Sequence, residues 1–153
     1  MKELFANKYF LLVSRFVLGF VFVYAGIEKI SDPSGFADSI YNYKIFPLFS
    51  INTMAILIPW IEFVSGLLLI FGVALKENAL IINIFLIGFI VLITISLFRG
   101  LNIDCGCFST TDGETIGIQK IVEDVLLLIL GIQIFLFPSD ELTLQSFAKK
   151  SGS

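Results

Sequence analysis

Apolar residues run almost unbroken through four stretches of the chain, and the polar residues gather in the gaps between them. The stretches run from about Tyr9 to Ile27, Thr53 to Leu75, Ala79 to Phe98 and Ile116 to Phe137. Each is close to the roughly 20 helical residues that cross a hydrocarbon core. Barrel strands would be shorter and would alternate. A backbone in lipid must pair its own polar groups, so all four are read as helices. The pattern predicts an all-α membrane protein, a four-helix transmembrane bundle over residues 1–137. A polar, flexible tail over 138–153 is expected to follow.

The gaps carry their own signals. Ser31-Asp32-Pro33-Ser34-Gly35 is a turn with helix-start chemistry, Asp32 being suited to cap a helix and Pro33 to occupy its first position. Phe36, Ile40 and Tyr43 follow at helical spacing and predict a short amphipathic helix at the interface, ended near Pro47. Tyr41 and Tyr43 suit the headgroup level. Lys76-Glu77-Asn78 is read as a tight turn between the second and third spans. Arg99 to Thr115 forms a long polar loop before the fourth. The first span lacks a cleavage motif after it and is read as a retained helix rather than a signal peptide.

Composition agrees with the pattern. Of 153 residues, 57% are hydrophobic and 15% charged, whereas soluble domains carry about a quarter charged. The mean hydropathy is +0.95. A net charge of −3 without Lys/Arg clusters argues against a nucleic-acid partner. Histidine is absent, which removes the commonest metal ligand and general base. With four spans, Lys2, Lys8, Lys76, Lys149 and Lys150 share one side, and Lys29, Lys44, Arg99 and Lys120 the other. Five against four places the termini in the cytoplasm by the positive-inside rule.

Charges inside the apolar stretches mark candidate function. Glu62 follows Pro59-Trp60 and shares a face with Ser65, Gly66 and Leu69; Arg15 shares one with Gly19, Phe22 and Gly26. Asp124 aligns with Leu127, Leu128 and Gly131. These stripes are expected to face one another, with Glu62, Glu123, Asp124 and Arg99 toward the loop and Arg15 reaching from the other half. Two readings stand for them: a proton-carrying pocket, or buried pairing that holds helix register. Glu28, Lys29 and Lys120 are read as snorkelling.

The loop holds both cysteines, in Asp104-Cys105-Gly106-Cys107-Phe108. A disulfide across one residue is strained and therefore exchanges readily. It closes almost no chain, so it adds little stability. Such pairs persist in an oxidising space, which also puts the loop outside the cytoplasm. Three readings of Cys105 and Cys107 remain: a redox pair, a soft metal site for Cu(I), and inert thiols. Zinc is disfavoured for want of ligands, and no metal site is assigned.

The ordered set Arg15, Leu18-Gly19, Ala25-Gly26-Ile27-Glu28-Lys29-Ile30-Ser31-Asp32-Pro33 and Phe36 resembles the first-helix signature of the MauE/DoxX-like family. The likeness continues through Asn42-Tyr43, Pro47, Pro59-Trp60-Ile61-Glu62, Gly66, Gly72, Arg99-Gly100, Asp104-Cys105-Gly106-Cys107-Phe108, Ile116-Gly117 and Asp124. It covers about Tyr9 to Phe137. The chain departs at Ser109, where a glycine often stands, and at Glu123, where a basic residue is common.

The resemblance implies a four-helix membrane protein of the bacterial inner membrane that supports disulfide formation or maturation of periplasmic proteins. It implies a thioredoxin-like partner and a methylamine-related process. Cys105 and Cys107 would be the redox pair, with Glu62 in the shared core. A thiol–disulfide oxidoreductase, a non-catalytic anchor or assembly subunit of a redox complex, and a Cu(I)-binding protein are the alternatives carried forward. No cofactor motif is present; a quinone would be compatible but has no residue to bind it. A homo-oligomer is also compatible.

Overall fold

The computed structural model describes residues 7–100, 118–138 and 144–152. The expectations for Cys105 and Cys107, for Ser109, and for a start of the last span at Ile116 lie outside the described residues. Six helices are described: α1 (Lys8–Ser31), α2 (Pro33–Asn42), α3 (Leu48–Phe71), α4 (Leu75–Phe98), α5 (Ile118–Leu136) and α6 (Leu144–Ser151). Residues 144–151 of the expected flexible tail are thus helical.

Local chemistry explains the boundaries. Asn7 caps α1, its side chain accepting from the Tyr9 N–H at 3.1 Å. Asp32 ends α1 and begins α2. Its N–H donates to the Glu28 carbonyl, while its carboxylate accepts from the Gly35 N–H at 3.0 Å and the Ser34 hydroxyl at 2.9 Å. Those bonds favour the ionised form and hold Asp32 below the ordinary carboxylate range. Pro33 then fits the first turn, where no N–H is needed.

The turn between α3 and α4 differs from the sequence reading. It lies at Gly72-Val73-Ala74, and Lys76, Glu77 and Asn78 already belong to the first turn of α4. Gly72 takes a left-handed φ of 72°, open to glycine without penalty, and Val73 donates back to the Leu68 carbonyl at 2.9 Å. Ala74 is also left-handed at φ 46°. The Asn78 amide secures this turn by donating to the Val73 and Ala74 carbonyls at 2.8 and 3.1 Å. Charge at 76–77 suggests a loop, but the backbone geometry of Gly72 decides where the chain reverses.

Helix α1 packs chiefly on α3, and α4 on α5; contacts of α3 with α4 and of α1 with α5 close a four-membered ring. Glycines set the first of these contacts. A Cβ on Gly66 would lie 2.8 Å from the Gly19 carbonyl oxygen and 2.9 Å from the Val23 nitrogen. One on Gly26 would lie 2.9 Å from the Phe63 nitrogen. The two backbones touch, as small residues permit in lipid-embedded helices. Helix α2 lies against α3, burying Phe36 and Ile40 on Ile51 and Ala55.

Beside an apolar core that includes Leu18, Phe22, Leu69 and Ile82, the interior holds polar side chains, and large apolar ones face outward. Arg15, Lys29, Glu62, Asn83, Asp124 and Gln133 are buried, while Phe20, Tyr24, Leu57, Trp60, Ile84 and Val91 face outward. Helices α1, α3 and α4 are long and apolar enough to cross a membrane, with hydropathies of 2.1, 2.2 and 2.8. Helix α5 has 19 residues and carries Lys120, Glu123 and Asp124 in its first two turns. The protein is an all-α, multi-pass membrane bundle.

Candidate functional site

Three helices bring charge into one buried cluster. The Lys29 ammonium, on the last turn of α1, donates to Glu62 Oε2 on α3 at 2.8 Å. Their side chains are 0% and 1% exposed. On α5, Asp124 is 0% exposed, and neither carboxylate oxygen has a hydrogen-bond partner among the described residues. The charges of Lys120, Glu123 and Lys29 all act on it. Aromatic faces complete the cage around the ammonium: the rings of Phe36 and Phe89 each lie 5.3 Å from Lys29 Nζ, close enough for cation–π attraction.

Tyr43 links this cluster to the α2–α3 connection. Its ring is buried with Ile93 of α4 and packed against Ile121 of α5. Burial, and secondarily the negative charge of Asp124, push the phenol up from its ordinary value, so it stays neutral and able to donate. The Tyr43 carbonyl accepts from Arg99 Nη1 at 3.3 Å, which ties the end of α4 to the same connection.

The cluster lies at one end of the bundle. Helix α4 finishes there at Phe98 and α5 begins there at Ile118, so the segment with Cys105 and Cys107 joins the bundle at this end. Removing one member of a buried ion pair generally costs about 3–5 kcal/mol, because a charge is left without compensation. A carboxylate such as Asp124, buried beside a pair that is already complete, is therefore an unusual feature for lipid-embedded helices and a functional signal.

The residues singled out from sequence are distributed unequally. Glu62 and Asp124 enter the cluster, and Arg99 borders it through Tyr43. Glu123 instead lies at its edge with a side chain 44% exposed, held by Lys120 at 3.1 Å. Arg15 is buried elsewhere, its guanidinium 5.7 Å from the Phe16 ring. Gly19 meets Gly66 across the helix contact, so Arg15 is level with about residue 70, about 12 Å of helical rise from Glu62. Its reach toward Glu62 is not realised. Ser14 and Gln133, 3.5 Å apart, share that second polar level.

Two residues depart from expectation. Lys29 does not snorkel: it is the buried cation of the cluster. Its face is legible in the sequence, since the stripe Arg15, Gly19, Phe22, Gly26 continues by one further step of three onto Lys29. Tyr43, placed with Tyr41 at the headgroup level from sequence, is buried in the bundle at 4% exposure, whereas Tyr41 is exposed.

A groove of about 590 Å³ runs between α1 and α5, lined by Phe20, Tyr24, Leu126 and Leu127, with Lys120 and Glu123 among its walls. Its aromatic side chains are outward-facing, so it belongs to the lipid-exposed surface rather than to the buried cluster.

Comparison with known proteins bears on the whole bundle. The family model described as methylamine utilisation protein MauE matches residues 7–137, which includes every member of the cluster. No curated protein and no solved structure matches the chain.

Proposed function

The chain belongs to the MauE family, and from that premise we propose that this membrane protein is a thiol–disulfide redox protein acting with a thioredoxin-like partner. Its task is disulfide formation or maturation of periplasmic proteins, in the context of methylamine utilisation that the family's description names. Cys105 and Cys107 are the reacting pair. The fourth span is α5, the termini face the cytoplasm, and the cysteine segment faces the periplasm.

The chemistry is exchange through a mixed disulfide. A thiolate of the pair attacks a partner disulfide, forming one new S–S bond and releasing one partner thiolate. The second cysteine then attacks the mixed disulfide and releases the other. The partner gains two electrons and leaves as a dithiol; Cys105 and Cys107 lose two and become a disulfide. The reverse direction uses the same intermediate. Cys-Gly-Cys suits the role because a bridge across one residue is strained, and Gly106 accepts backbone angles that other residues resist.

The observation that carries the reading is the conjunction of both cysteines on the segment joining α4 to α5 with a buried ionic cluster at that end of the bundle. Trapping of thiols in intact cells tests it. A Cys107→Ser variant is expected to accumulate a mixed disulfide with a thioredoxin-like protein through Cys105. If both cysteines stay reduced under oxidising and reducing conditions alike, the redox reading fails and the anchor reading replaces it.

A further inference from the structure

We propose that the Asp124 carboxylate, set beside the completed Lys29–Glu62 pair in the bundle interior, is a binding site for one proton. The inference is independent of what Cys105 and Cys107 react with.

Charge balance is the first argument. Among the described residues, the interior at this level holds one ammonium, Lys29, and two carboxylates, Glu62 and Asp124, all at 0–1% exposure. The remaining ionisable groups facing Asp124 do not restore neutrality there. On its own helix, Lys120 and Glu123, paired at 3.1 Å at the bundle's edge, act on Asp124 with opposite sign. From the α2–α3 connection comes the neutral Tyr43 phenol. Helix α4 turns Phe89 and Ile93 inward beside Tyr43, and its charged residue at this end, Arg99, is exposed and bonded to the Tyr43 carbonyl. Helix α1 contributes Lys29 and α3 contributes Glu62, and these are joined to one another at 2.8 Å. Among the described residues one negative charge is left over, and a buried carboxylate in that position neutralises itself by binding a cation.

Geometry selects which cation. Both Asp124 oxygens are buried and have no hydrogen-bond partner among the described residues, so the carboxylate itself offers the acceptor. A hard metal ion requires about six oxygen ligands. The side chains packed around Tyr43 at this level are Phe89, Leu92, Ile93 and Ile121, and no group of three or more acidic, cysteine or histidine side chains occurs among the described residues. A proton needs only one oxygen. The resulting acid keeps a donor and an acceptor, matching the neutral phenol beside it.

Infrared difference spectroscopy of the full chain in lipid nanodiscs, acid minus alkaline, reads the site directly. The wild type is expected to show one carbonyl band of a non-ionised, deuterium-exchangeable carboxylic acid. The band is lost in Asp124→Asn and retained in Glu62→Gln. Carboxyl-¹³C labelling needs no variant: the band moves with labelled aspartate and stays with labelled glutamate. Absence of the band, or its movement with the glutamate label, overturns the proposal. So does a thermal stabilisation by sodium that leaves the wild type insensitive to pH and vanishes in Asp124→Asn, which gives the site to an alkali cation.

Discussion

Lys29 has the longest side chain among the fully buried described residues, and its ammonium donates to Glu62 Oε2 at 2.8 Å. Replacing it by methionine keeps the length and removes the charge, leaving Glu62 buried without its counter-ion. Lys29→Met is therefore expected to lower unfolding stability in detergent micelles by about 3–5 kcal/mol. Lys29→Met combined with Glu62→Leu is expected to recover most of that loss, because two apolar groups need no partner. A full loss in the double variant would show that packing around Phe36 and Phe89, not charge, sets the cost. At this scale the sequence speaks clearly through Glu62 and Asp124, since acids within apolar runs have few bland explanations. On Tyr43 it is divided, since the spacing of Phe36, Ile40 and Tyr43 puts it on an apolar face while its hydroxyl suits the headgroup level, and its burial depends on how the α2–α3 connection folds under α4 and α5. Lys29 lies between these cases: its face is readable, but a lysine near a helix end usually reaches water.

Among elements, the α1–α3 contact is the most exacting because backbone meets backbone. Gly66→Leu would drive a side chain into the Gly19 carbonyl and the Val23 nitrogen, and overpacking of this kind costs about 1–3 kcal/mol or more. At Gly88 of α4 an added methyl group would meet nothing within 4 Å, so Gly88→Leu is expected to be neutral within about 0.5 kcal/mol or slightly stabilising. Equal losses in the two variants, measured by thermal unfolding, would remove the glycine contact as a determinant of the bundle. Helix existence is plain from the apolar runs, and the Asp32-Pro33 start of α2 is plain from its chemistry. The α3–α4 reversal falls elsewhere than charge suggests because polarity marks solvent access, whereas the reversal follows the left-handed backbone at Gly72 and Ala74. Polar Lys76 and Glu77 are compatible with a first helical turn at a membrane surface.

For the whole molecule, buried charges within an apolar core and a large apolar exterior follow from lipid as the solvent. The proposed orientation rests on the basic residues that flank the spans and on the redox argument. Helix α4 separates Lys76 from Arg99 by about 35 Å of rise, so the two ends are experimentally distinct. A membrane-impermeant maleimide is expected to modify Cys105 and Cys107 in cells with a permeable outer membrane. A cysteine placed at Lys76, in a chain with both native cysteines changed to serine, is expected to react only after lysis. The reverse pattern would invert the topology.

The span of 33 residues between Lys29 and Glu62 also has a meaning in time. A ribosome adds about 5–20 residues per second, so about 2–7 s pass between synthesis of the lysine and synthesis of its counter-ion. Throughout that interval the last turn of α1 has no Glu62 to meet. The Lys29–Glu62 pair, and the closure of α1 on α3 at Gly66, can form only after α3 has been made. Biogenesis of this bundle thus has a built-in order, written by the distance along the chain between two opposite charges.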